Sequence, residues 1–439
     1  MSTQVPFVEP HAQTRSIALA PRDDLHTGYH GAILAGPLDR HSLQVVDAEH
    51  LFLMRDGEHS PSECPHFIEA IRTKDPRQAV HSARWPVLDC AAWLTDMDDL
   101  LYPVLFGRTA SNPRFVASAR SDDPEMRMLL ARRARTMLSA YLHPSCTTIL
   151  FRGHPRKSPD VAREWFAHLG VADLGEAVLQ KLTIVRPAQR AAKTDVVKDK
   201  WNSSDPLRVL FCGRDFDVKN GLLALEVMQR VRRDYESIAF TYVGPIPSEV
   251  VLAAPELLYG VTHHEHLPHD AMLIEMRKAH LYFHPSKHES IGIALLEAMG
   301  AGAAVVTARG EATEYSDELF DGGGALLLDR DKVSARDESF EFECLVRQAL
   351  SDKTQLAELG MRNHRATDTG IFSIGCQATV LANAYDALFR RQGQFLTIDQ
   401  LDPIERSWVR TLSERELRSD VQASRDRHRI PPGYQSILI

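Results

Sequence analysis

Basic residues are in deficit: Lys and Arg total 51 against 59 Asp and Glu, a formal charge of −8. No cationic surplus exists to neutralise a phosphate backbone, so a nucleic-acid partner is not expected. Long apolar runs are also missing. None reaches the roughly 20 residues that span a bilayer, and the first residues lack the charged-then-apolar pattern of a secretion signal. No integral membrane segment is expected, and the expected location is the cytoplasm. Six cysteines are scattered at Cys64, Cys90, Cys146, Cys212, Cys344 and Cys376, with no pair at zinc-site or redox spacing. They read as small apolar residues in a reducing compartment. Internal repeats and low-complexity tracts are absent too.

What is present is an ordinary globular composition, 44% apolar and 25% charged over 439 residues, enough chain for two domains. The second half is patterned more clearly. Leu207–Gly213, Ile238–Gly244, Leu281–Pro285 and Ala303–Ala308 are brief and apolar throughout, and Gly221–Arg232, Asp270–Ala279 and Gly292–Ala301 between them have helical spacing. Strands apolar on both faces, alternating with helices, predict a parallel sheet covered on both sides. Further helices are predicted at Phe340–Leu350 and Gln377–Phe389. In the first half, Ser16–Ala20, Leu43–Val46, Trp85–Leu88, Thr147–Phe151 and Lys181–Val185 read as strands. Gly31–Asp39, Met126–Leu142 and Val161–Leu169 read as helices. The stretch Lys193–Pro206 is polar and lacks apolar periodicity, which marks a connection. The expected division is an α/β domain over 1–195, a linker over 196–206, a second α/β domain over 207–392 and a helical tail over 393–439. Ligands of such sheets sit at the carboxyl ends of the strands.

The segment His284-Pro-Ser-Lys-His-Glu289-Ser-Ile-Gly292-Ile-Ala-Leu-Leu-Glu297-Ala-Met-Gly300 reads as strand, loop and helix. Glu289 lies in the loop after an apolar strand. Gly292 opens the helix, where unpaired N–H groups and the positive end of the dipole favour an anionic or oxygen-rich ligand. Glu297 follows about 7 Å further along the axis at 1.5 Å per residue. Two carboxylates so spaced can hold two hydroxyl-bearing rings of one ligand. Upstream, Leu210-Phe-Cys-Gly213-Arg214-Asp-Phe-Asp-Val-Lys219-Asn-Gly221 is a strand ending in glycine, then a short loop with two cations before a helix.

Together, Pro-Ser-x-x-Glu-x-x-Gly-x-x-x-x-Glu-Ala-Met-x-x-Gly resembles the signature of the retaining glycosyltransferases of family 4, which carries two glutamates separated by seven residues. The resemblance covers about residues 205–330 by motif. It implies a GT-B fold, two Rossmann-like α/β domains facing each other across a cleft, with a C-terminal helix crossing back to the first. It implies that Glu289 contacts the donor sugar, that Ser290, Ile291 and Gly292 complete the sugar pocket, and that Glu297 binds the nucleotide ribose. Arg214 and Lys219, beside Gly213, would grip the diphosphate, since cleaving the sugar–phosphate bond leaves a dianion to stabilise. Catalysis is thus assigned to Glu289, Arg214 and Lys219. Gly244 and Leu267 fall in the region that in relatives lies beside the base. Asn220 departs from the family's usual glycine after the lysine.

In the first half, Gly28 and Gly31 correspond to a loop that in relatives approaches the donor phosphate or the acceptor; a plain turn is the alternative. Trp93 and the acids near it are expected to face the cleft, and Asp96-x-Asp98 to start a helix. Relatives place a histidine near this point, and none is evident here. His263, His264, His266 and His269 are loop-like rather than one helical turn apart, so no metal is expected. The implied reaction is transfer of a sugar from a nucleotide-diphosphate donor to an acceptor hydroxyl with retention, without cofactor or metal. The acceptor and oligomeric state stay open. The alternatives are a catalytically silent relative binding a nucleotide sugar or a protein, or a sugar-nucleotide epimerase or phosphorylase on the same plan. The tail from Gln394 is expected to be helical to about Arg425.

Overall fold

The structure, a computed structural model, describes residues 15–20, 30–35, 40–54, 68–106, 123–289, 292–310, 315–390, 395–401 and 408–412. In the first half, β1 (Arg15–Ala20), β2 (His41–Val45), β5 (Ala79–Ala83), β7 (Trp93–Met97), β8 (Cys146–Phe151) and β9 (Leu182–Ile184) form one parallel sheet in the order β2-β1-β5-β7-β8-β9. In the second, β10 (Arg208–Cys212), β11 (Ala239–Val243), β12 (Val261–His264), β13 (Leu281–His284), β14 (Ala304–Arg309) and β15 (Ala325–Asp329) form another, β12-β11-β10-β13-β14-β15. Strand order in the second sheet reverses between β10 and β13. That reversal opens a crevice at their carboxyl ends, between helices that leave on opposite faces. A small side sheet, β16-β3-β4-β6, joins β3 (Ala48–Met54), β4 (Ile68–Thr73), β6 (Val87–Leu88) and β16 (Trp408–Leu412).

The central strands of the second sheet are buried on both faces, because Val209, Phe211, Leu281, Phe283, Ala304 and Val306 pack under one set of helices. Leu210, Tyr282 and Val305 pack under the other. Helices Gly221–Arg232, His269–Lys278 and Ile293–Gly300 match the predicted ones. In the first half the predicted strands at 16–20, 43–46, 147–151 and 181–185 are found, as are helices Pro124–Leu142 and Lys157–His168.

Five expectations are corrected. The stretch Trp85–Leu88 contributes only β6, in the side sheet. The helix Gly31–Asp39 ends at Leu34 among the described residues. Asp96 does not start a helix: it lies in β7, all five of whose residues are buried. Trp93 does not face the cleft; it is wholly buried, and its Nε1–H donates to Ser145 Oγ at 2.8 Å. In the tail, β16 pairs antiparallel with β3 where a helix was predicted.

Two segments tie the halves together. The polar stretch read as a linker contains the helix Thr194–Asn202, with Val197 and Trp201 buried in the second core. Lys200 Nζ donates to the carbonyls of Ala279, Ala301 and Gly302 at 2.8, 2.9 and 3.1 Å, closing the carboxyl ends of two helices. Beyond the second sheet the chain returns in the helix Ile374–Leu388, started by Ser373, whose side chain accepts from Cys376 N–H. Leu381, Ala384, Tyr385 and Leu388 bury against Ile17, Leu19, Leu94 and Leu150 of the first sheet. The two crossings run side by side and meet in a parallel bridge between Gln189 and Ser373. Next to them, Arg186, just after β9, bonds Glu318 at 2.6 Å on the wall of a cavity of about 650 Å³.

Candidate active site

The site begins where β10 stops. A Cβ on Gly213 would stand 2.7 Å from Lys219 Cβ, so the missing side chain lets the loop 214–219 fold back over the strand end. Gly244 ends β11 at φ +147, and a Cβ there would meet the Gly213 carbonyl oxygen at 2.0 Å. Asn220 adopts the left-handed conformation, φ 58 and ψ 45, just before helix Gly221–Arg232. Among side-chain-bearing residues asparagine enters that region most readily. The departure at Asn220 therefore preserves the backbone path that a glycine would take.

The loop after β13 is held from three sides. Lys287 N–H donates to Val218 O at 2.8 Å, joining it to the loop after β10. Ser286 Oγ donates to His288 O at 2.7 Å. Arg330, paired with Glu338, donates to the carbonyls of Pro285, at 2.8 Å, and Ser286. Glu289 is thereby carried beside Lys219, with 2.6 Å between Nζ and Oε2. The same oxygen lies 2.8 Å from His284 Nε2. Because a carboxylate only accepts, His284 donates from Nε2, and its Nδ1 accepts from Tyr282 OH at 3.2 Å. Burial alone would raise the Glu289 carboxyl; His284 and Lys219 outweigh it and hold the group at about 2. Burial lowers His284 despite its acid neighbour. The arrangement is an ionised carboxylate and an ammonium at one strand-end crevice, with further lone pairs and N–H bonds to offer a ligand.

Gly292 follows at φ +69 and starts the helix Ile293–Gly300. A Cβ there would meet only the terminal methyls of Leu295 and Leu319, at 2.9 and 3.2 Å, so it is the positive φ rather than space that calls for glycine. Glu297 sits mid-helix, 7% exposed, with Oε1 2.7 Å from His269 Nε2. It lines a cavity of about 430 Å³ together with His269, Leu273, Gln189 and Gly31.

The sequence-predicted residues thus form two clusters, Lys219 with Glu289 and Glu297 with its histidine. Arg214 is exposed on the loop that carries Lys219. Leu267 is half-buried against the second core. Gly31 serves packing: a Cβ would collide with the Ala188 carbonyl at 1.8 Å. Gly28, Ser290 and Ile291 lie outside the described residues. His263 faces the Gly244 carbonyl at 2.9 Å, and no group of three metal-ligating side chains gathers among the described residues.

The sequence reading gave no role to His284 or Arg330, although His284 opens the very segment that carries Glu289, and it weighed His269 only as a metal ligand. A further cluster was missed in the first domain. Asp96 Oδ2 lies 3.1 Å from Arg152 Nε, 3.6 Å from His81 Nε2 and 3.9 Å from His30 Nε2, and all four residues are buried. His81 Nδ1 in turn meets Tyr385 OH of the returning helix at 2.9 Å. Two buried histidines, His30 and His81, thus stand beside Asp96 in the first domain.

Residues 193–323 match the family described as glycosyl transferases group 1. No curated protein matches the chain. Among solved structures it resembles HepE from Anabaena in complex with UDP, at 11% identity and a TM-score of 0.50, over 85% of this chain and 100% of that one. A sucrose-phosphate synthase from Thermosynechococcus elongatus is 14% identical with a TM-score of 0.49, over 86% of this chain and 99% of the other. WaaG, a glycosyltransferase involved in lipopolysaccharide biosynthesis, is also 14% identical, with a TM-score of 0.48, over 85% and 99%. The chain thus has a GT-B fold of two Rossmann-like domains, and its residues 193–323 are similar to glycosyl transferases group 1.

Proposed function

We propose that the protein is a retaining glycosyltransferase of the family 4 kind, moving a sugar from a nucleotide-diphosphate donor to an acceptor hydroxyl. The observation that carries this is the Lys219–Glu289 contact of 2.6 Å at the switch point between β10 and β13. It lies within the stretch that matches glycosyl transferases group 1. In this reading Glu289 accepts from hydroxyls of the donor sugar and Lys219 keeps two N–H bonds for the diphosphate. Arg214 is the second cation, and the N–H groups at the start of helix Ile293–Gly300 add positive potential. Glu297 accepts from the ribose hydroxyls.

The bond from the anomeric carbon to the phosphate oxygen breaks as the acceptor oxygen bonds to the same face. The acceptor's proton passes to the departing phosphate oxygen. The side chains then contribute position and charge stabilisation rather than general-base chemistry. With two cations and a helix terminus at the leaving group, transfer is proposed to need no metal or cofactor, and the proposed location is the cytoplasm.

The test is a thermal-shift screen against a panel of nucleotide sugars, followed by release of nucleoside diphosphate with and without candidate acceptors in excess chelator. One donor should raise the melting temperature and be slowly hydrolysed, and the transferred sugar should keep its anomeric configuration. A donor that binds but is never turned over would identify a silent binding protein instead. Loss of turnover in chelator, restored by magnesium or manganese, would refute metal independence.

A further inference from the structure

Glu297 is a buried carboxylate on a helix that is otherwise apolar, Ile-Ala-Leu-Leu-Glu-Ala-Met-Gly. A polar group in such a place needs hydrogen-bond partners, and they hold it in one orientation. Among the described residues its recorded partner is His269, the first residue of the neighbouring helix His269–Lys278. The carboxylate can only accept, so the ring nitrogen facing it is the protonated one. The two groups are unequally buried, with side-chain exposures of 44% for His269 and 7% for Glu297. The histidine therefore contributes little to the core, while the acid it holds is fixed at the wall of the 430 Å³ cavity.

We propose that His269 is the positioning residue for the nucleotide-recognising carboxylate. By engaging Oε1 it fixes the rotation of the carboxylate and leaves Oε2, with a remaining lone pair on Oε1, turned to the cavity where vicinal ribose hydroxyls would be received. The inference rests on the proposed ribose role of Glu297. Without His269 the carboxylate rotates among several orientations, and each donor molecule must bear the cost of selecting one. Because the ribose is remote from the reacting carbon, that cost falls on ground state and transition state alike. It appears in the donor KM rather than in kcat.

The experiment is steady-state donor kinetics, with melting curves, on the full chain for His269→Ala, His269→Gln, Glu297→Ala and the double variant His269→Ala/Glu297→Ala. Expected for His269→Ala is a donor KM about tenfold higher, the scale of one hydrogen bond to a charged group, with kcat and melting temperature unchanged. His269→Gln, whose amide nitrogen has similar reach, should restore most of the affinity. In the absence of Glu297 the histidine has no carboxylate to position there, so the double variant should match Glu297→Ala alone. A wild-type KM for His269→Ala beside a raised KM for Glu297→Ala overturns the positioning role and leaves the ribose assignment standing. So does strict additivity in the double variant. An unchanged KM for Glu297→Ala overturns the ribose assignment and the inference with it. A fall in kcat and melting temperature for His269→Ala that glutamine does not rescue shows a purely structural role.

Discussion

The two Rossmann-like domains handle polar groups at their strand ends in opposite ways. In the second domain the charged pair comes from two short loops and stays accessible, Lys219 at 23% and Glu289 at 15% side-chain exposure. In the first domain Asp96 and Arg152 lie in a wholly enclosed cluster, at 4% and 1%, with His30 and His81 packed around the acid. The accessible pair can exchange partners with a ligand, whereas the enclosed one has its charges answered by protein. The difference teaches where selection for stability and selection for chemistry can be separated by experiment.

The largest effect is expected in the enclosed cluster. Asp96→Asn removes the acid beside a buried guanidinium and should lower stability by about 3–5 kcal/mol, the range for breaking a buried pair, as read by chemical denaturation. A variant of full stability and lost turnover would move this cluster into the chemistry and erase the contrast. Next comes Arg214→Ala, which should melt like the wild type yet lose about a hundredfold in turnover at saturating donor, roughly 3 kcal/mol of stabilisation of the departing diphosphate. Normal turnover would remove Arg214 from the site.

The pH dependence sharpens the same contrast. Glu289 is held at about 2 in the fold against an ordinary 4.5, so its contribution to stability is complete above about pH 4.5 and is lost as the pH falls toward 2. The gap in unfolding free energy between wild type and Glu289→Gln should then be about 3 kcal/mol at neutral pH and close with acid. A gap that does not change with pH contradicts the charge pairing. In kinetics the two glutamates should separate: Glu289→Gln lowers kcat and Glu297→Gln raises the donor KM, each by ten- to a hundredfold, for about 1.5–3 kcal/mol. Identical kinetic phenotypes in the two variants, both still folded at the assay temperature, would end that division. The smallest effect belongs to Asn220. Replacement by glycine should be nearly neutral, and replacement by alanine should cost about 1 kcal/mol for its left-handed backbone. Equal stability of the two would show that the backbone there relaxes.

The contrast also explains what was legible in the sequence. The second domain's central strands are continuous apolar runs, and its site residues are neighbours in sequence on loops that follow them. Pattern and chemistry therefore coincide between Leu210 and Glu297. Its edge strands were harder: β12 is Val-Thr-His-His, with its middle residues exposed and one apolar side chain to announce it. In β15 the signal, Ala-Leu-Leu-Leu, was there to be read. The first domain defeats periodicity because β5, Ala-Val-His-Ser-Ala, and β7, Trp-Leu-Thr-Asp-Met, are central and buried yet carry polar residues. Some of those residues are satisfied locally and others from afar. Ser82 Oγ donates to Trp85 O at 2.7 Å. His81 meets Tyr385, 304 positions away, and Asp96 meets Arg152, 56 away. Compensation between distant segments leaves no trace in a local window.

The returning helix Ile374–Leu388 sets the order in which the molecule can be made. Domains usually fold as units while the ribosome is still at work, the amino-terminal one first. Here the apolar face formed by Ile17, Leu19, Leu94 and Leu150 waits for Leu381, Ala384, Tyr385 and Leu388, which emerge only after the whole second sheet has been synthesised. The second domain, whose strands and covering helices lie within one uninterrupted stretch, can close its core before the first does. The domain translated first is thus the one completed last, and its bare sheet face is what a chaperone would have to shield in the interval.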